Sequence, residues 1–513
     1  MRIRSVIGAC IAAALALGLA LPTYAVPRDV PRAHLPAQAS DRAEQALARV
    51  QAIFDRQPAA HARAASAAVA DRDATLALRD LARYRDQLRG TAARQASQLL
   101  ARPAASKRTC TANICVHWSP ASVNPTDDDR DGVPNYIERV RDTVDGVHRS
   151  YVAAGYRAPR PDGARGGNNK TDVYIRNVGA QGLYGFCTSD KSFRQTGPFD
   201  SWAYCVLDNN YTEKPFRALP PLENMQVTAA HEYFHAVQFA YDAFEDGWFM
   251  EATATWAEDE LFTDINDNLQ YLIHGPLHRP QVPLDKFEAG GLHQYGDWIF
   301  FRYLTEKIPA GAALIRQMWQ RADGSAGAQD MYSLQAIRST LAAHGQSFGR
   351  WFARFADANR RPAVEYAEGA DNGYPVAPLG GSFALAPGTS SGWIARQVNH
   401  LGSTTLRFTP TGLLPASLLR VNVDLPDTSR GSLAMVTSYA GSVVTPELVS
   451  LNRFGAGSLT VPLLGGDVSR VEVTLVNASA RTRCWARASS PFSCFGIPRD
   501  DNLTQRVQVT SIR

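Results

Sequence analysis

Within DRDATLALRDLARYRDQLRG the apolar positions Leu76, Leu78, Leu81 and Tyr84 recur at near-helical spacing, and the Ala- and Arg-rich stretch around them, from Val26 to Arg108, predicts two or three helices. Between Cys110 and about Val376 the periods are mixed. KTDVYIRNV alternates imperfectly at Val173, Ile175 and Val178 and predicts a strand, followed by Gly-rich turns. A long helical run then extends from about Leu222 to Tyr241, and further helical patterns cover Trp248 to Leu261, Trp298 to Leu304 and Leu334 to Phe355. Beyond Tyr374 the chain turns to short β-type runs, LLRVNVDL, SLAMVTSY, VSRVEVTLVN and RVQVTSI, separated by Gly, Pro, Ser and Asp. Their spacing predicts a β-sandwich of roughly 130 residues. There is no internal repeat.

The first 25 residues stand apart: Arg2 and Arg4, an apolar run from Val6 to Leu21, then Pro22-Thr23-Tyr24-Ala25. Small residues before the end of this stretch predict a signal peptide over residues 1–25, cut after Ala25. The run is short for an anchor helix, and too little apolar sequence precedes Cys10 for a lipoprotein motif. The six remaining cysteines fall into three local pairs, Cys110 with Cys115, Cys187 with Cys205 and Cys484 with Cys494, which suit disulfides in an oxidising compartment. None has a CxxC spacing. The mature chain is therefore expected to be secreted, extracellular or periplasmic, with no membrane span. For the segment 26–108, two readings stay open: a propeptide with Lys107-Arg108 as processing point, or a permanent helical subdomain.

At 513 residues, 45% apolar and 20% charged, the chain has room for two to four domains. Its net charge of +4 selects no partner, and nothing resembles a nucleic-acid-binding motif. The chemistry concentrates in MQVTAAHEYFHAVQFAYD. On a helix, His231 and His235 project from one face, and Glu232 can reach a water on a metal without ligating the metal. HExxH arises by chance in roughly one chain of this length in a hundred. Against chance stand the apolar scaffold of Ala229, Ala230, Phe234, Val237 and Ala240, the export signals, and a third ligand in GWFMEATATWAEDEL: Glu251, if a second helix packs back.

HExxH followed downstream by W-F-M-E-A-x-A-x-W resembles the gluzincin metallopeptidases. HEYFHAVQFAYD…WFMEATATWAED is especially similar to a poorly characterised family of secreted bacterial metalloproteases. The resemblance implies zinc on His231, His235 and Glu251, with Glu232 as general base for hydrolysis of a polypeptide. Metzincins are excluded by Gln238 and Tyr241. Where many gluzincins place an acidic residue that orients a histidine, this chain has Thr255; Glu258, on the same helical face, is either the substitute or a solvated surface glutamate. For the oxyanion donor GGLHQYGDWIFFRYL offers Tyr295, with His293 next. KTDVYIRN is the candidate edge strand for pairing with substrate. The expected fold class is α+β: a zincin-like domain over 109–376, preceded by the helical segment and followed by an all-β sandwich over 377–513.

A second metal motif lies in DDDRDGVPNYIE, which fits a calcium loop with ligands from Asp127, Asp129, Asp131, the Val133 carbonyl, Asn135 and Glu138, and Gly132 at the turn. Pro134 departs from a paired EF-hand, so a lone structural calcium is expected. Ile137, Val140, Val144, Val147 and Tyr151 mark one face of the exiting helix. The leading functional expectation is a secreted zinc endopeptidase. The rivals are a zinc hydrolase acting on a cell-wall or other non-protein substrate, and a non-enzymatic surface-binding protein; retention of Glu232 beside three ligands speaks against the last.

Overall fold

The imperfect alternation of KTDVYIRNV has a structural cause: its residues form a strand buried on both faces, in the interior of a sheet. The computed structural model describes residues 39–55, 74–213, 216, 219–412, 417–463, 468–487 and 489–512. The signal peptide expected over 1–25, with Cys10, lies outside them. Everything described belongs to one unit, His34–Arg513. Three helices open it: α1 (Ala39–Phe54), α2 (Thr75–Tyr84) and α3 (Gly90–Leu99). Leu76, Leu78 and Leu81 are buried, and so are Thr75, Ala77, Arg79 and Ala82. A helix covered on nearly every side is packed into the interior rather than laid on the surface.

A mixed α+β region follows. Strand β1 (Lys107–Cys110) forms a hairpin with β2 (Ile114–Trp118), closed by the Cys110–Cys115 disulfide. After helix α4 (Asn135–Ala153) come β3 (Thr171–Arg176), β4 (Gly185–Thr188) and β5 (Tyr204–Asp208). The sheet order is β1-β2-β3-β5-β4, with β2, β3 and β5 parallel and β4 antiparallel at the edge. KTDVYIRN is thus interior and not the edge strand expected; the two edges are β1 and β4, the latter the segment GFCT. The Cys187–Cys205 disulfide joins directly opposed residues of β4 and β5. Lys107 and Arg108 both lie inside β1, paired with Trp118 and His117.

Helices α5 (Pro221–Tyr241) and α6 (Gly247–Leu261) pack on one another, and α5 also covers β4 and β5. Next come α7 (His293–Gly296), α8 (Trp298–Lys307), α9 (Ala313–Arg321), α10 (Ser333–Ala343), α11 (Phe348–Ala358) and α12 (Pro362–Glu365). The single pattern expected over Leu334 to Phe355 is two helices. Gly345, at φ +69°, stops the first in a conformation that L side chains disfavour, and the Ser347 side chain caps the second by accepting from the Arg350 amide. One continuous apolar core runs from Leu47 and Leu78 through Ile175, Phe234 and Trp319, so α1 and α2 share their interior with the mixed region.

Among the described residues, the chain closes with strands β6 (Leu379–Leu385), β7 (Ile394–Val398), β8 (Gly402–Pro410), β9 (Leu418–Asp424), β10 (Ser432–Ala440), β11 (Val443–Leu448), β12 (Ala456–Pro462), β13 (Val468–Asn477), β14 (Thr482–Arg483), β15 (Ile497–Pro498) and β16 (Leu503–Ile512). Two sheets, ordered β11-β10-β13-β8-β6 and β12-β9-β16-β7, enclose a separate core of Leu406, Phe408, Val421, Val436, Val473, Val507 and Val509. The Cys484–Cys494 disulfide lies between β14 and β15. Among the described residues no helix is long and apolar enough to cross a membrane.

The join between sandwich and helices is polar. Trp248 on α6 donates its indole N–H to Ser333 Oγ (3.2 Å) and Ser493 Oγ (3.0 Å). Asp246 accepts the Cys494 amide at 2.8 Å. His400 sits between Asp285 (2.8 Å) and Asp501 (3.1 Å). Burial works against charging this ring, but the two carboxylates outweigh it and push its pKa up to about 9. The folded pKa lies above the ordinary 6.5, so the stabilisation is complete below about pH 6.5 and fades as the pH rises through about 9. Thermal unfolding of wild type and His400→Gln should differ by about 3 kcal/mol near pH 6, and the gap should close toward pH 10. A gap independent of pH would mean that the ring is held neutral.

Candidate active site

Helix α5 is buried along almost its whole length, so its polar residues need partners inside the protein. His231 and His235, one turn apart, bring their rings to 4.7 Å between centroids. Each Nδ1 has an acceptor. His231 Nδ1 meets Glu258 Oε1 at 2.6 Å and His235 Nδ1 meets Gln238 Oε1 at 2.7 Å. Gln238 is itself fixed, donating to the Met250 carbonyl (2.9 Å) and Thr253 Oγ1 (3.1 Å). With the proton on Nδ1, each imidazole turns an Nε2 lone pair toward the other.

Glu251, on α6, supplies the third donor. Its Oε2 lies 3.3 Å from His231 Nε2 and 3.7 Å from His235 Nε2, and the two Nε2 atoms are 3.1 Å apart. Two lone pairs and a carboxylate facing each other at this range in a buried space repel unless a cation lies among them. Without a metal a proton plays that part: burial opposes it, yet Glu251 and Glu258 hold the His231 pKa well above its usual value. Burial likewise opposes the charge on Glu251, and the two imidazoles hold it well below the carboxylate range. Burial pushes Glu258 up to about 7.

The donor set also fits zinc by dimension. Tetrahedral bonds of about 2.0–2.1 Å separate ligand atoms by roughly 3.3 Å, which is the spacing found here. Glu251 Oε2 is buried with no hydrogen-bond partner among the described residues. His231, His235 and Glu251 thus form a group able to hold a metal ion.

Glu232 is buried beside this group, facing β4. A Cβ added at Gly185 would come within 3.0 Å of Glu232 Cγ and 2.9 Å of the Val206 carbonyl, so only glycine lets the strand approach the helix here. Behind the same residue, Cys187 Sγ lies 2.8 Å from the Glu232 carbonyl oxygen. The cleft over these groups is lined by Tyr184, Thr228, Glu232, Tyr271 and Tyr295. Tyr295 stacks near His231, at 6.0 Å between centroids, and on Tyr271 at 5.2 Å. His293 is not brought to the cleft. Its two ring nitrogens meet the carbonyls of His274 (2.9 Å) and Pro283 (3.0 Å). Thr255 is buried, its hydroxyl without a hydrogen-bond partner among the described residues, and does not reach either histidine; Glu258, two turns beyond Glu251, reaches His231.

Two contributors are absent from the sequence reading. Gln238 carried a local signal, since position i+3 from His235 lies on the same face of the helix. Thr75 carried none: its hydroxyl comes from the N-terminal helices and donates to Glu232 Oε2 at 3.1 Å.

In the acidic loop, Asp127, Asp129 and Asp131 converge, and Asp127 Oδ1 is buried without a hydrogen-bond partner among the described residues. The Gly132 amide donates to Asp127 Oδ2 (2.9 Å), with Gly132 at φ +89°. Partial burial and the charges of Asp129 and Asp131 raise the Glu138 pKa. Asn135 begins α4 with both its amide atoms engaged by Asp128. A third cluster, Cys115, His117 and Asp172, offers no thiolate because Cys115 is in a disulfide.

No family model and no curated protein matches the chain. Solved structures similar to parts of it include the pre-peptidase C-terminal domain of a collagenase from Bacillus anthracis, at 7% identity over 26% of this chain and 97% of that one, with a TM-score of 0.16. Aeromonas hydrophila PliG, a periplasmic inhibitor of g-type lysozyme, shares 13% identity over 26% and 98%, with a TM-score of 0.13. A family GH115 4-O-methyl-alpha-glucuronidase with specificity for decorated arabinogalactans shares 9% over 70% and 54%, with a TM-score of 0.15. Likenesses at these scores carry no weight for the activity of this chain.

Proposed function

We propose that the protein is a secreted zinc-dependent endopeptidase of gluzincin type, with a zincin-like catalytic region and a structural calcium loop. The observation that carries this reading is the convergence of His231 Nε2, His235 Nε2 and Glu251 Oε2, with Glu232 next to the first ligand on the same helix. The three disulfides suit export.

When bound, zinc supplies a Lewis acid and a water whose pKa falls toward about 7. The protein supplies the rest. Glu258 and Gln238 fix both imidazoles with Nε2 toward the metal. Glu232 accepts the proton of the attacking water and returns it to the leaving amide nitrogen. Tyr295, in the cleft, donates to the developing oxyanion. The outer edge of β4, which pairs with no strand among the described residues, is where an extended peptide would lie beside Glu232. Asp127, Asp129 and Asp131 hold calcium at the start of α4.

Three outcomes are expected. Glu232→Gln should keep stoichiometric zinc and lose roughly 10²- to 10⁴-fold in hydrolysis of quenched casein; full activity would assign the base elsewhere. Glu258→Gln should weaken zinc roughly 10- to 100-fold in chelator competition, and unchanged affinity would leave His231 oriented by other contacts. Calcium added to chelator-treated protein should raise the melting temperature by a few degrees in wild type but not in Asp129→Asn, whereas an equal rise in both would remove the loop as its site.

A further inference from the structure

The residue that touches the base of the proposed peptidase comes from the segment whose role the sequence left open. Thr75 is the first residue of α2 and is completely buried. Its Oγ1 donates to Glu232 Oε2 at 3.1 Å and accepts the Cys187 amide N–H at 2.8 Å. Cys187 belongs to β4, whose outer edge pairs with no strand among the described residues. One hydroxyl therefore occupies both the general base and the backbone donor that an extended substrate would need. Phe54, the last residue of α1, sets its ring against Phe186 of the same strand, at 5.6 Å between centroids.

The rest of the segment anchors this contact. Arg79 donates to the Glu245 carbonyl at 2.9 Å, in the turn between α5 and α6. Leu76 packs so closely on Gly247 that a Cβ there would lie 3.1 Å from Leu76 Cδ1. Beyond α3, Arg102 binds Asp162 (2.8 Å), Asp190 (3.0 Å) and Asp172. Exposed residues Ala104, Ala105 and Ser106 then lead into β1. A cut there would detach the helices and leave the sheet whole, whereas a cut at Lys107-Arg108 would fall inside a paired strand.

We infer that the helical segment from α1 to α3 is an internal inhibitor that fills the substrate position at β4 and Glu232 through Thr75, and that the active form is the chain freed of it. This rests on the peptidase reading. A peptide cannot pair with the Cys187 amide while Thr75 holds it, and Glu232 shares one carboxylate oxygen with the same hydroxyl. Arg102 and Arg79 make the segment a tight ligand of its own protein, so covalent release must be followed by dissociation.

The test uses the full chain with a site-specific protease sequence inserted between Ala105 and Ser106, loaded with zinc and assayed before and after cutting. A fluorescein-labelled peptide hydroxamate reports cleft access by anisotropy, gel filtration reports whether the segment leaves on dilution, and metal content is measured on both forms. The expected result is departure of the segment with at least roughly tenfold tighter probe binding. In the chain without the insertion, Leu76→Ala combined with Leu81→Ala, which loosens α2, should move probe binding in the same direction. Equal probe affinity before and after release overturns the inhibitor and leaves the peptidase reading intact. So does a segment that never dissociates, which would make it a permanent subdomain. Zinc retained with no probe binding after release also overturns it, because the cleft then stays closed without the plug. Absence of zinc from both forms removes the peptidase reading and the inhibitor with it.

Discussion

Two imidazole lone pairs and a carboxylate oxygen are held within 3.7 Å of one another inside the protein, and that arrangement is repulsive until a positive charge enters it. Much of the surrounding structure keeps the three atoms from turning away. Glu258 and Gln238 occupy the far nitrogens of the two rings, so neither ring can flip without losing a buried hydrogen bond. Gln238 is in turn tied to Met250 and Thr253 on α6, which links the orientation of a histidine on one helix to the position of the glutamate on the next. The site is thus one rigid pair of helices rather than three separate ligands.

The edge strand completes that pair. Gly185 lets β4 come against Glu232, and the disulfide behind it fixes β4 to β5. A short strand of four residues at a sheet edge would otherwise be weakly held. The same nearness that would give a peptide access to Glu232 gives access to any other hydroxyl placed there, and α2 places one, that of Thr75.

What the sequence disclosed follows the range of each interaction. His231, Glu232 and His235 share one helical turn, and Glu251 and Glu258 share a face two turns long, so periodicity alone aligns them. The disulfides were legible because each closes a short loop. The sandwich strands were legible because their apolar positions alternate. KTDVYIRN was read as a strand but assigned to the edge, since a strand buried on both faces loses the alternation that would tell its place in the sheet. His293 and Tyr295 are two residues apart and chemically both suitable; only the packing of the His274 and Pro283 carbonyls decides that the histidine turns away. Thr75 left no trace because its partner is 157 residues distant along the chain.

The turn from Asp242 to Asp246, which joins the helices carrying the two histidines and Glu251, is held by residues far apart along the chain. Arg79 holds the Glu245 carbonyl, while the amide of Cys494 binds Asp246 and Ser493 accepts from Trp248 one step into α6. A ribosome delivers these parts in order. The chain therefore has its two histidines and Glu251 long before it has the residues that fix the angle between their helices. A chain that reaches Glu251 but stops short of Ser493 carries all three donors without the later contacts that hold the turn between their helices.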